Sequence, residues 1–365
     1  MHRLNVPRLF LLALATLVAS CASERTSGPK ITESDAHAII EHALPATVAD
    51  KSGWADDLYS AFSAQQIAPT KENVCAVVAV ITQESNFHVN PVVPGMSAIA
   101  WKEIHTRADH TLLPWLVVKA ALDVKSPTGR TYSDRIDHAR TEKDLSDIYE
   151  DFIGSVPLGH TLFENHNPIR TRGPMQVNIA FLKQTSAARS YPYPVKTSLA
   201  DELFTRRGSV YFGVAHLLGY RAPYPRYLYR FADFNAGQYA SRNAAFQSAV
   251  ATASGKSLTP DGALLPANGD LGSTESAVRS LGDRLNVSEN DIHAALEEGR
   301  SPDFEQTNVY KRVFALAERT LKRAAPQAVV PKIKLQGPKI SRNLTTDWYA
   351  HRVDGRFQQC LKKTP

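Results

Sequence analysis

From Asp35 onward, apolar residues recur at three- and four-residue steps through "DAHAIIEHAL" and "GWADDLYSAFSAQQ", a rhythm that predicts two amphipathic helices. The next segment breaks that rhythm. In "APTKENVCAVVAVITQES" the positions from Val74 to Ile81 are all apolar, which predicts a helix buried on every side, although the valines would also suit a strand. Thr70 is its expected N-cap and Glu72 falls in its first turn. Residues 91–170 are less orderly. There "SAIAWKEIHTRA", "LLPWLVVKAALDV" and "EKDLSDIYEDFIG" read as helices, separated by loops at Pro94, Ser126–Gly129 and Pro157. A glycine turn, "TRGPMQVNIAFLKQ", precedes the helix "RGSVYFGVAHLLGY", and the Pro/Tyr-rich "RAPYPRYLYR" leads into "FADFNAGQYASRNAAFQSAV". After a loop-like stretch at 251–275, "TESAVRSLGDRLNVSENDIHAALEEG" and "DFEQTNVYKRVFALAERTLKR" predict two more amphipathic helices. From Ala325 the chain is basic and carries Pro326, Pro331 and Pro338, which predicts an extended wrap. Strand signals are weak and no repeat is evident, so the expected fold is mainly α-helical.

The first twenty residues differ from the rest. Arg3 and Arg8 precede an apolar stretch from Leu9 to Val18 and then small residues, the layout of a secretory signal peptide. Val18-Ala19-Ser20-Cys21 resembles a bacterial lipobox, which implies lipidation of Cys21 and, with Ala22 following, an anchor in the outer membrane facing the periplasm. An ordinary signal peptide is the alternative. The expected organisation is signal peptide 1–20, lipidated tether 21–34, a helical domain 35–325 and a C-terminal tail 326–365.

Composition narrows the function class. The 365 residues are 43% hydrophobic with a formal charge of +6, of which Arg3 and Arg8 supply two, so the remainder carries +4. That is too slight for a nucleic-acid footprint, and no Lys/Arg cluster is interleaved with aromatics. Apart from Cys21 the cysteines are Cys75 and Cys360, which either pair in an oxidising compartment or remain separate thiols. No His/Cys pair stands at zinc spacing and no cofactor motif appears, so neither a metal nor a cofactor is expected.

The candidate chemistry sits where the apolar helix ends, at Gln83-Glu84-Ser85. A carboxyl group at the end of a buried apolar segment is hard to ionise, which is how a general acid is made. Further on come "GPMQVN", from Gly173 to Asn178, and "FNAG", from Phe234 to Gly237. Together with "QESNF" these resemble, in order, the motifs of the soluble-type lytic transglycosylases, which share the goose-type lysozyme fold. Pro174 stands where that family has Leu, and Phe234 where it has Tyr. Between Glu84 and Gln176 lie 91 residues, far more than the family has there, so the resemblance carries an insert at about 92–168.

The resemblance implies a lysozyme-like helical domain that cleaves the β-1,4 bonds of peptidoglycan strands and closes a 1,6-anhydro ring, with no cofactor. Glu84 would act as acid and then base. Ser85, Met175, Gln176, Asn178, Phe234 and Asn235 would contact substrate or orient the acid. Each has a plainer reading: Ser85 and Asn178 as helix caps, Met175 as core packing, and the Asn235 segment as a helix-packing turn. Two alternatives remain open. One is a muramidase on the same fold, in which Asp233, otherwise a surface residue, or an insert carboxylate such as Glu103 or Glu164 would be the second carboxylate. The other is a catalytically silent peptidoglycan-binding lipoprotein whose insert closes the groove.

Overall fold

A computed structural model describes residues 31–111, 114–163, 166–337 and 342–364. The signal peptide, Cys21 and Glu164 lie outside the described residues. Within them the fold is mainly α-helical, and its one sheet is a two-stranded hairpin.

The frame begins with α1 (Glu33–Ala43), α2 (Lys51–Ala64) and α3 (Lys71–Glu84). In α3 the Thr70 hydroxyl accepts the Asn73 N–H and Glu72 lies in the first turn, as the sequence predicts. Every residue from Val74 to Ile81 is at most 3% exposed. A helix apolar all round must be enclosed, and this enclosure overrides the strand preference of its valines.

The insert forms a small helical lobe. Its elements are α4 (Met96–Thr111), α5 (Trp115–Leu122), α6 (Tyr132–Asp137), α7 (Glu142–Gly154) and α8 (Gly159–Phe163). Met96, Leu122, Tyr132, Ile136 and Ile148 build its core, which Ile169 and Phe204 complete from outside the insert. A bridge between Val92 and Thr141 closes its base, and Thr141 with Asp144 forms a capping box that starts α7 there.

The glycine turn is a hairpin of β1 (Thr171–Arg172) and β2 (Val177–Asn178), with Thr171 opposite Asn178 and Arg172 opposite Val177. Gly173 has φ +71°, and a Cβ there would lie 1.9 Å from the Leu203 carbonyl oxygen, so only glycine fits. There follow α9 (Ile179–Gln184), α10 (Leu199–Glu202), α11 (Arg206–Leu218), α12 (Tyr227–Ala236) and α13 (Ala240–Ser254). Gly237 at φ +107° and Tyr239 at φ +67° break the chain between α12 and α13.

A second core gathers behind α13. It contains Phe246, Leu285, Ile292, Phe304, Tyr310, Val313 and Phe314. The segment 274–299, expected as one helix, forms three: α14 (Ser273–Arg279), α15 (Gly282–Leu285) and α16 (Glu289–Glu297). Asn286 in the left-handed region ends α15, and the Ser288–Asp291 capping box restarts the chain as α16. Helix α17 (Asn308–Leu321) closes this core.

The C-terminal tail corrects the expectation most. Its first part does run extended, with the Val329 N–H donating to the Ser241 carbonyl and that of Lys332 to the Pro260 carbonyl. The rest is an 18-residue helix, α18 (Thr346–Lys363), capped by the Thr345 hydroxyl. No proline follows Pro338 within α18, and Tyr349, Val353 and Phe357 recur every four residues to bury one face. That face packs on α3 and α12, and Cys360 is disulfide-bonded to Cys75 of α3, with Cα atoms 5.5 Å apart.

Candidate functional site

The apolar run of α3 delivers Glu84 to its C-terminal end, where the residue is half-buried. The helix cannot continue, because Asn86 (φ +49°) and Phe87 (φ +65°) both take left-handed backbone conformations. Phe87 secures that bend by packing edge-on against Trp54, with ring centroids 4.9 Å apart. Two consecutive non-glycine residues in this region are a strained arrangement, and it lies immediately after the candidate acid.

The group that holds Glu84 comes from α18. The Tyr349 hydroxyl donates to Glu84 Oε1 at 2.5 Å. Burial, and then the neighbouring Glu84 charge, push the Tyr349 phenol well above its ordinary range, so it remains a proton donor. One turn earlier the Thr346 hydroxyl donates to Asn235 Oδ1 at 2.8 Å. The first turn of α18 therefore links Glu84 at the end of α3 to Asn235 at the end of α12. On the outer side, Arg352 and Arg356 both donate to Gln83 Oε1 at 3.1 Å. Partial burial and the neighbouring Arg352 charge lower the Arg356 pKa, while the Glu84 charge acts in the other direction.

Of the remaining predicted residues, Ser85, Asn178 and Met175 take the plainer of their two readings, as caps and core packing. Ser85 is the C-cap of α3, and its hydroxyl donates back to the Ile81 carbonyl at 3.3 Å. Asn178 caps α9 by accepting the Ala180 N–H. Met175 is fully buried against Gly213, where a Cβ would strike its sulfur. Phe234 is also buried, and its carbonyl accepts a hydrogen bond from His216 Nε2. Gln176, held at φ +49°, accepts from the Thr171 hydroxyl and donates its amide to Glu142 Oε2 at 2.9 Å and to the Gly173 carbonyl. Its side-chain bonds thus go to its own hairpin and to the insert rather than to Glu84.

Asp233, expected at the surface, is fully buried. Its carboxylate accepts from the hydroxyls of Tyr220 and Tyr224 and from the backbone N–H groups of Tyr239 and Ser241. Burial pushes its pKa up to about 6 against the pull of those donors. Beside it, burial lowers His216 to about 4, and its Nδ1 has no hydrogen-bond partner among the described residues. Glu103 is paired with Arg107 within α4.

Sequence reasoning missed Tyr349, Thr346, Arg356 and Glu142. The four-residue spacing of Tyr349, Val353 and Phe357 after Thr345 was a readable helix signal, whereas the identity of Glu84's partner was not readable. Among the described residues no cluster of three or more metal-ligating side chains occurs, and no helix is long and apolar enough to cross a membrane.

What the fold and site define is a helical protein with a half-buried carboxyl group at the end of an enclosed helix, locked from behind by its own C-terminal helix. The chain belongs to the family described as a protein of unknown function, DUF1615, whose model matches residues 47–363. It is 48% identical to the uncharacterized protein YaiW of Escherichia coli (strain K12), over the whole of both chains. No solved structure matches. The expected membership of the soluble-type lytic transglycosylases is therefore corrected. The matching family spans all three motifs, the insert and α18 as one unit, and of the motif residues Ser85, Met175 and Asn178 serve caps and core.

Proposed function

We propose that this protein cleaves peptidoglycan glycan strands as a lytic transglycosylase, with a lysozyme-like use of Glu84 as its one catalytic carboxyl group. The observation that carries the reading is the pairing of Glu84, half-buried at a helix end, with the buried Tyr349 phenol. In the first step Glu84 gives its proton to the glycosidic oxygen as the C1–O bond breaks. The sugar's own N-acetyl oxygen then stabilises the cationic centre at C1. In the second step the Glu84 carboxylate takes the proton of the C6 hydroxyl as that oxygen bonds to C1, which closes the anhydro ring and reprotonates Glu84. Tyr349, as a donor, steadies the carboxylate between the two steps.

Against the form of the muramidase alternative that uses Asp233 stands the position of that carboxylate. Asp233 is sealed from solvent and already accepts four hydrogen bonds, so it has no approach to a sugar or a water. One observation favours the silent binder instead: Gln176 is held by Glu142 of the insert.

The test is digestion of purified sacculi by the mature protein and by Glu84→Gln. Expected are anhydro-muropeptides, about 18 Da lighter than hydrolysis products because no water is added. The substitution should lower their release by about 10²–10⁴-fold. Reducing-end products would move the reading to a muramidase, and binding without release to the silent protein. The site would act from the periplasmic face of the outer membrane through a lipid on Cys21, so Cys21→Ala should release the protein from the membrane fraction.

A further inference from the structure

A cleft of about 540 Å³ lies between α1, the start of α2, α3 and the C-terminal half of α18. Its floor is apolar, with Val78 and Ala79 of α3 and Leu44 after α1. Its walls are cationic: Lys51, Arg356 and Lys363 face a single acid, Glu41. The cleft adjoins the Glu84 site, because Thr82 lines it and Arg356 is shared between it and Gln83, the residue before Glu84.

Among the described residues, Arg356 of the cleft and the nearby Arg352 form no ion pair with a carboxylate, although the Glu84 charge acts on Arg356. Arg352 and Arg356 are on neighbouring turns of α18, and both donate to one neutral acceptor, the Gln83 side-chain oxygen. Each repels the other. Two like charges on a single amide oxygen form an arrangement that an incoming anion would stabilise. Arg356 and Lys363 are seven residues apart on α18, about 10 Å along a helix, so their charges are spread out rather than focused on one point. A ligand with several separate carboxylates and aliphatic groups between them matches this pattern better than one compact phosphate.

We propose that this cleft binds a carboxylate-bearing peptide of the kind that branches from peptidoglycan strands, holding the glycan so that its scissile bond faces Glu84; the glycan half of this statement rests on the function proposed above. A branch tripeptide spans about 10 Å when extended, the separation of the two cationic positions. Its carboxylates would pair with Arg356 and Lys363, which line the cleft.

The test is calorimetric titration of the mature protein with the free tripeptide L-alanyl-γ-D-glutamyl-meso-diaminopimelate. Saturable binding is expected, weakened at least about tenfold by Arg356→Gln and by Lys363→Gln, and lost when the peptide's carboxylates are amidated. Lys363 is exposed, so its replacement leaves the fold intact and keeps the test valid should Arg356→Gln unfold. Failure to saturate at millimolar peptide would overturn the proposal. So would binding indifferent to both substitutions, or displacement by equimolar inorganic phosphate. Assaying the unsubstituted protein for both tripeptide binding and sacculus cleavage separates the two readings. Tripeptide binding without sacculus cleavage retains the peptide site and removes the lytic function, whereas cleavage without tripeptide binding removes the peptide site alone.

Discussion

Glu84 and Asp233 both stand at the C-terminal ends of buried helices, α3 and α12, yet their surroundings differ in almost every other respect. Glu84 is half-open to solvent, beside a strained bend, and takes a phenol from a distant part of the chain. Asp233 is sealed, and its four donors all lie within thirteen residues of it. A carboxylate saturated by local donors serves as a fastener, here for the α12–α13 junction. Glu84, by contrast, is half-exposed at a helix end and accepts from a phenol 265 residues away in the chain. The sequence suggests a candidate acid at Glu84 and mainly a surface residue at Asp233, and the four donors around Asp233 make it instead a buried structural carboxylate.

The largest effect should come from the sealed residue. Asp233→Ala would leave two tyrosine hydroxyls and two backbone N–H groups buried without an acceptor, a loss of about 4 kcal/mol that urea denaturation would register. A loss under about 1 kcal/mol would show that the junction does not depend on it. Next comes the fastening of α18. Replacing both Cys75 and Cys360 with Ser opens a link between residues 285 apart and should cost about 3–4 kcal/mol. Faster hydrogen exchange should then appear in α18 and around Glu84 while the second core stays protected.

Acid should separate the two neighbours at the α12 end. His216 has its folded pKa lowered to about 4 from an ordinary 6.5, so the unfolded chain takes up the proton first. Its contribution is complete above pH 6.5 and is lost as pH falls through 4, by about 3 kcal/mol. Asp233 has the opposite sign, with its folded pKa raised to about 6 from 3.8, so the folded state protonates first and gains stability as pH falls between those values. In the intact protein the two largely offset. His216→Asn should therefore be relatively more stable at pH 4.5 than at pH 7, measured by denaturation midpoints, and Asp233→Asn relatively less. Matching slopes in both variants would refute these assignments.

The smallest effect belongs to the open carboxyl group. Tyr349→Phe removes one charge-assisted hydrogen bond and should lower stability by about 1–2 kcal/mol. If Tyr349 positions Glu84, the variant should also lose sacculus cleavage by about tenfold and show an altered pH profile, which a merely packing role would not produce.

The sequence made Glu84 legible because eight consecutive apolar residues can be satisfied only by enclosure, and such a helix must end somewhere. Thr70, as a cap, was similarly readable, since local chemistry decides it. Tyr349 was not, because the prolines at 326, 331 and 338 pointed to an extended tail and nothing local ties residue 349 to residue 84. Asp233 looked exposed for a related reason. Its tyrosine donors are near in sequence, but only the left-handed turn at Tyr239 folds the N–H groups of α13 back onto it. Gln176 was found by its motif, yet its partner Glu142 belongs to the insert, whose lobe has no counterpart in the family the motifs resembled.

The position of Tyr349 in the last helix has a consequence for when the site can exist. A ribosome completes Glu84 within the first quarter of the chain, but the phenol that holds it, and the cysteine that fastens the phenol's helix, come in the last twenty residues. A nascent chain, or one clipped before residue 349, therefore carries the carboxyl group without this phenol. The protein reaches its finished state only after its last residues have been made and an oxidant has joined Cys75 to Cys360.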